Sequence, residues 1–245
     1  ASQNDRPDFI IYADGVDAMA DFSSRGPCED GRIKPDVVAP GTWIASLQSQ
    51  SASDIYAWAG IDENYQYQGG TSQAGPHCSG AAAVFVQFYR DSHTNQTPSP
   101  ALVKAALINT ADDMEDPFGA GPVPNGDEGW GRVDISWFFD ESLSFQFIDQ
   151  PVLLTNSQVF ERRVVVSSPD EPLIITMTYT DPPGFPAAIP ALVNDLDQEV
   201  VGPDGKQYFA NQFDNGESIP KPPGRDTINN VEGIHLGTPL PGEYI

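Results

Sequence analysis

The chain has 245 residues, enough for one large domain or two ordinary ones with a real core. Its 35 acidic residues against 12 basic ones leave a net charge of −23, a surface that repels nucleic-acid phosphates and anionic lipid headgroups and so argues against both as partners. No apolar run approaches the ~20 residues a membrane-spanning helix needs. Asp (24) outnumbers Glu (11) and only four residues are Lys, a bias that suits salt adaptation, calcium-binding loops or plain solubility equally well.

In chain order, Phe9-Ile10-Ile11-Tyr12 predicts a short strand, and Lys34 to Gly41 predicts a buried strand bounded by Pro and Gly. From Ser72 to about Arg90 the pattern predicts a helix with Pro76 in its first turn. Gly80-Ala81-Ala82-Ala83-Val84-Phe85-Val86 is apolar nearly all round, which points to an interior helix. Ser99-Pro100 is a favourable cap and first-position pair for a second helix, with Leu102, Ala105, Ala106 and Ile108 at helical spacing. Beyond Leu143 the pattern turns to short strands: Arg162 to Val166, Leu173 to Tyr179, and Gln198 to Val201. Clusters such as Asp181-Pro182-Pro183-Gly184 and Gly202-Pro203-Asp204-Gly205 separate them, a β-sandwich pattern. The expected domains are therefore 1–140 and 141–245, and Pro241 to Ile245 reads as the beginning of a strand. Two cysteines, Cys28 and Cys78, are too few for a disulfide framework, and whether they pair stays open.

The chemically informative stretch is Gly69-Gly70-Thr71-Ser72-Gln73-Ala74-Gly75-Pro76-His77. A glycine turn delivers a serine to a helix start, where free N–H groups and the helix dipole favour an anion. Acyl transfer wants that arrangement, since the hydroxyl attacks and the backbone N–H holds the oxyanion. Taken alone, the same residues are more cheaply read as a helix cap.

The context resembles the subtilase family, whose nucleophile signature is Gly-Thr-Ser-Met-Ala-x-Pro-His. Phe22-Ser23-Ser24-Arg25-Gly26-Pro27, Lys34 to Gly41, the helix from Leu102 to Thr110 and Gly129-Trp130-Gly131-Arg132-Val133 resemble further family motifs in the same order. The resemblance implies a partial subtilisin-like parallel α/β sheet with buried helices, and Ser72 as the nucleophile of a secreted serine endopeptidase acting on proteins or peptides. It places Phe22 and Gln68 on the leaving-group side of the cleft, with Gly69 and Gly70 shaping the approach. His77 becomes a structural histidine. Leu192 to Asp197, Pro203-Asp204-Gly205, Tyr208, Asn211 and Asn229-Asn230-Val231-Glu232 resemble the calcium-binding jelly roll of certain large alkaline subtilases. Among Asp195, Asp197, Asp214, Asp226, Asn229 and Glu232, the set Asp195, Asp197, Asp226 and Asn229 is the expected Ca²⁺ site, although Asp and Asn are also ordinary turn residues.

Two departures stand out. Gln73 replaces the methionine after the serine, removing an oxidisable thioether and placing a polar group beside the oxyanion site. The family's catalytic Asp, His and oxyanion Asn precede the serine, yet no histidine occurs in residues 1–71; the three are His77, His93 and His235. The expectation is an enzyme whose partners lie upstream, catalytically incomplete as this chain alone. The alternative is a pseudoprotease or binding module. Half a parallel sheet would expose strand edges, so the chain is expected either to dimerise or to travel with its complementary N-terminal half.

Overall fold

The computed structural model describes residues 15, 17–51, 57–114, 121–149 and 152–245. The strand expected at Phe9–Tyr12 lies outside them. The first half holds strands β1 (Ile44–Leu47), β2 (Ala59–Gly60) and β3 (Tyr65–Gln68), then helices α1 (Thr71–Ser92) and α2 (Pro100–Asn109) and a short 3₁₀ turn at Ser136–Phe139. The second half holds β4 (Val164–Val166), β5 (Leu173–Thr178), β6 (Glu199–Val201), β7 (Gln207–Asp214), β8 (Glu217–Pro220), β9 (Val231–Leu236) and β10 (Gly242–Tyr244). The chain is mixed α/β.

Helix α2 forms as its sequence dictates. Ser99 Oγ accepts the Leu102 N–H at 3.1 Å, and Pro100, with no N–H to leave orphaned, fills the first position. Its apolar positions Leu102 and Ala106 join Phe85 and Tyr89 of α1 and Phe138 in one buried cluster, against which Phe145 and Phe147 also pack. Segment 141–149 therefore rests on the helices.

Two expectations are corrected. The sheet beside the helices is antiparallel, in the order β1-β3-β2, because β3 folds straight back along β1 with Leu47 opposite Tyr65. Among the described residues the only parallel pairing is the single bridge Val38↔Arg132. There Val38 donates to Gly131 O at 2.9 Å and Val133 donates back to Val38 O at 2.9 Å. The expected strand at Lys34–Gly41 is thus irregular apart from this bridge, which holds two of the sequence motifs side by side. Second, α1 is not interior on all sides. Only Phe85 and Tyr89 are buried, Val84 is 43% exposed, and a Cβ at Gly75 or Gly80 would meet nothing within 4 Å. Among the described residues nothing covers that face. Pro76 is the sixth helical residue, one turn later than expected.

Every strand pair of the second half is antiparallel: β4 with β10, β5 with β9, and β6-β7-β8. The terminal strand reads as expected, pairing with β4 and exchanging two hydrogen bonds between Ile245 and Val201 at 2.8 and 3.1 Å. Val200, Ala210, Ile234, Leu236 and Tyr244 form the local core. A further cluster joins the halves, with Trp130 and Ile108 packed on Val231. Polar ties reinforce it: Asn109 Nδ2 donates to Ile174 O and Thr176 Oγ1, both at 3.1 Å, and Ile33 N–H donates to Asn229 Oδ1 at 2.8 Å.

Candidate active site

The site is built around the junction of β3 and α1. Gln68 ends β3, opposite Ile44 of β1. Gly69 and Gly70 make the turn, and Thr71 opens the helix. Gly70 is the N-cap with φ 149°, a conformation suited to glycine, and its N–H is fixed by Gly41 O at 2.7 Å. Gly69 is required sterically, since a Cβ there would lie 2.1 Å from the Trp58 ring.

This geometry removes the helix-cap reading of Ser72. Gly70 is the cap, not Ser72, and no side chain caps α1. The N–H groups of Gln73 and Ala74 donate to Gly70 O at 3.0 and 3.3 Å. The N–H groups of Thr71 and Ser72 are those that precede any possible intrahelical partner, so they stand at the positive end of a 22-residue helix. Pro76 has no N–H to offer Ser72 C=O, which loosens the backbone following the serine. Helix α2, by contrast, fills the equivalent place with the Ser99 hydroxyl.

Ser72 is exposed. A cleft of about 70 Å³ opens beside it, lined by Gly70, Thr71 and Ala74 of the turn with Phe22, Ser23 and Gly41, while Ser72 stands outside that lining. Phe22 is 49% exposed and meets Trp58 edge-on at 6.4 Å. Trp58 in turn contacts Trp43 at 5.1 Å, and Trp43 meets Tyr67 at 5.9 Å. Sequence reasoning missed this aromatic wall, because Trp43, Trp58 and Tyr67 come from three separate segments with no shared motif. Of the expected residues, Phe22 and Gly70 line this cleft, Gln68 and Gly69 lead into Gly70 along the chain, and Ser72 follows it on the helix. His77 Nδ1 lies 2.8 Å from Gln73 O within the helix, and His93 stacks on Tyr89 at 4.0 Å. His235 lies between Trp130 and Phe213, at 5.6 and 5.1 Å. Both cysteines are free thiols.

The expected metal residues separate into two kinds. Asp226 is saturated by protein donors: Asn211 Nδ2 at 2.5 Å, Asn229 Nδ2 at 2.6 Å, and the Ile228 and Asn229 N–H groups at 2.8 and 3.0 Å. Asn229 spends its own oxygen on Ile33. Asp195 and Asp197 are exposed, and Arg225 Nε lies 3.9 Å from Asp197. Glu232 is 1% exposed and accepts the Gln198 N–H. Burial first, then Asp226, Asp197 and Asp195, push its pKa up to about 8. Among the described residues no three His, Cys, Asp or Glu side chains are arranged to hold a metal ion.

Comparison with known proteins settles the class. Residues 10–131 match the model of the subtilase family. The chain is 31% identical, over 96% of its length, to the serine protease/ABC transporter B family protein tagA of Dictyostelium discoideum. It is 39% identical to the serine protease AprX of Bacillus subtilis over 44% of this chain, and 35% identical to pyrolysin of Pyrococcus furiosus over 49%. It spans 14%, 24% and 8% of those three proteins respectively. The chain belongs to the subtilase family.

Proposed function

We propose that this chain supplies the nucleophile of a secreted subtilisin-like endopeptidase that cleaves proteins or peptides through an acyl-enzyme. Ser72 Oγ attacks the scissile carbonyl and the Ser72 N–H receives the developing oxyanion. The observation that carries this reading is the start of α1, where Gly70 provides no side-chain cap, the first N–H groups have no intrahelical partner and Ser72 is exposed. The general base, its aspartate and the oxyanion asparagine come from a complementary N-terminal segment, because the family's order puts them before the serine. Without the imidazole the rate falls by orders of magnitude, so the chain alone is inactive. The uncovered face of α1 and the exposed Leu153 (90%) and Val159 (86%) support a complementary partner, whether that segment or a second copy of the chain. Sedimentation of the isolated chain as a well-folded monomer at all concentrations would count against this.

The antiparallel strands of 164–245 support a jelly-roll β-domain in the second half. Ca²⁺ is proposed for the loops that carry Asp195, Asp197 and Glu232 on the chemistry of their carboxylate oxygens, while Asp226 and Asn229 are committed to protein hydrogen bonds. A cation there would offset the mutual repulsion of Glu232, Asp195 and Asp197. A fluorophosphonate probe tests the main reading in the full-length protein: labelling of Ser72 supports it. Absence of labelling favours a binding module that keeps the fold without the chemistry.

A further inference from the structure

The residue after Ser72 makes a contact that a methionine could not make. Gln73 Nε2 donates to Gln68 Oε1 at 3.2 Å. To reach it the side chain folds back over the cap, so that a Cβ on Gly70 would stand 3.0 Å from Gln73 Oε1. Gln68 closes β3 and is in register with Ile44 of β1, which anchors it to the sheet. The amide pair therefore spans the four residues Gly69 to Ser72, tying the last residue of the strand to the first turn of the helix. Two primary amides can pair in either orientation, each offering both a donor and an acceptor. The link also adds no net charge beside the place where an oxyanion develops.

We propose that Gln73 and Gln68 form a clasp that positions Ser72, Gln73 being a positioning residue that acts through the turn. The idea rests on Ser72 being the nucleophile. The two glycines make the turn the most easily deformed part of the site, since each has the widest backbone freedom of any residue. A contact bridging both sides of it limits that freedom where the hydroxyl and its N–H must keep their mutual geometry. Gln73 is within the helix's first turn and Gln68 is half-buried, so the pair is shielded enough to persist.

The test uses the full-length protein carrying Gln73→Leu, Gln68→Leu, both together, and Gln68→Glu, which keeps an acceptor for Gln73. Hydrogen–deuterium exchange of the peptide spanning Gly69–Ser72 reads the clasp without any need for activity. Peptide hydrolysis and fluorophosphonate acylation read its consequence. Both leucine variants should speed exchange in that peptide and lower kcat roughly 3- to 10-fold, the range one net hydrogen bond supplies, with KM little changed. The double variant should lose no more than either single one, and Gln68→Glu, which keeps the acceptor, should leave hydrogen–deuterium exchange of the Gly69–Ser72 peptide near wild type. Unchanged exchange would overturn the clasp. Faster exchange with unaltered acylation, or a loss that tracks a fall in Tm, would overturn positioning. A wild-type protein that never labels at Ser72 would overturn the nucleophile and the positioning role with it, while the exchange data would still judge the contact.

Discussion

Gly69 and the Trp58 ring occupy adjoining space so closely that a single added methyl group would lie 2.1 Å from the indole. The nucleophile turn is therefore moulded on the aromatic wall and does not merely pass it. Gly69→Ala should destabilise by about 1–3 kcal/mol, as overpacking does, and should slow Ser72 acylation. Trp58→Ala in the same protein should restore part of both. Thermal melts and probe labelling of the two variants check this, and an unperturbed Gly69→Ala would show that the wall does not shape the turn.

The two helix starts differ in what their serines do. Ser99 caps α2 and Ser72 caps nothing. Ser99→Ala should cost about 1 kcal/mol, while Ser72→Ala should leave stability within about 0.5 kcal/mol, as for an exposed residue with no structural duty. Denaturant unfolding of both variants decides it; a large loss for Ser72→Ala would return that hydroxyl to a structural role.

Trp130 is 2% exposed and packs on Ile108 and Val231, one from each half. Trp130→Ala should cost about 3–5 kcal/mol and should weaken the docking of residues 164–245 on α2. Limited proteolysis should then cut within residues 152–163, which are exposed. Protection equal to wild type would contradict the shared core.

One half-buried group and one buried group give opposite pH dependences. Burial between Trp130 and Phe213 pushes His235 from 6.5 down to about 4. The unfolded chain binds that proton more readily, so stability is complete above pH 6.5 and falls between 6.5 and 4. His235→Phe should flatten that slope. Glu232, raised from 4.5 to about 8 chiefly by burial, behaves in reverse: stability is complete below pH 4.5 and is lost as pH rises towards 8. Melts of Glu232→Gln against wild type across pH 5–9 should show the loss only in the wild type.

The same group tests the proposed cation. Millimolar Ca²⁺ at pH 8 should raise Tm in the wild type by neutralising the ionised cluster, and Glu232→Gln should respond much less. An equal response in both proteins would place the ion elsewhere.

What the sequence revealed was the punctuation and the linear motifs. The Ser99-Pro100 start, the helix from Ser72 and the strands at 162–166, 173–179 and 198–201 follow from caps, periodicity and turn residues, and the structure has them at Pro100, Thr71, 164–166, 173–178 and 199–201. Partners far apart in the chain were not legible. The antiparallel return of β3 along β1, and the Trp43–Trp58–Tyr67 wall, depend on pairings that no local period encodes. The apolar run Gly80–Val86 was read as wholly interior, but an apolar pattern reports what a helix is suited to bury, not what covers it. Likewise Asp226 and Asn229 looked like oxygen ligands by type, yet their hydrogen bonds serve the loop and its tie to Ile33.

The central claim is that the hydroxyl of residue 72 becomes an acylating nucleophile once an imidazole is supplied. Mass spectrometry of the full-length protein after fluorophosphonate treatment tests it most directly. One probe per molecule on Ser72, absent from Ser72→Ala and from the isolated 245-residue chain, is the predicted result. An unmodified Ser72 in a folded full-length protein, or a probe on another residue, would contradict it.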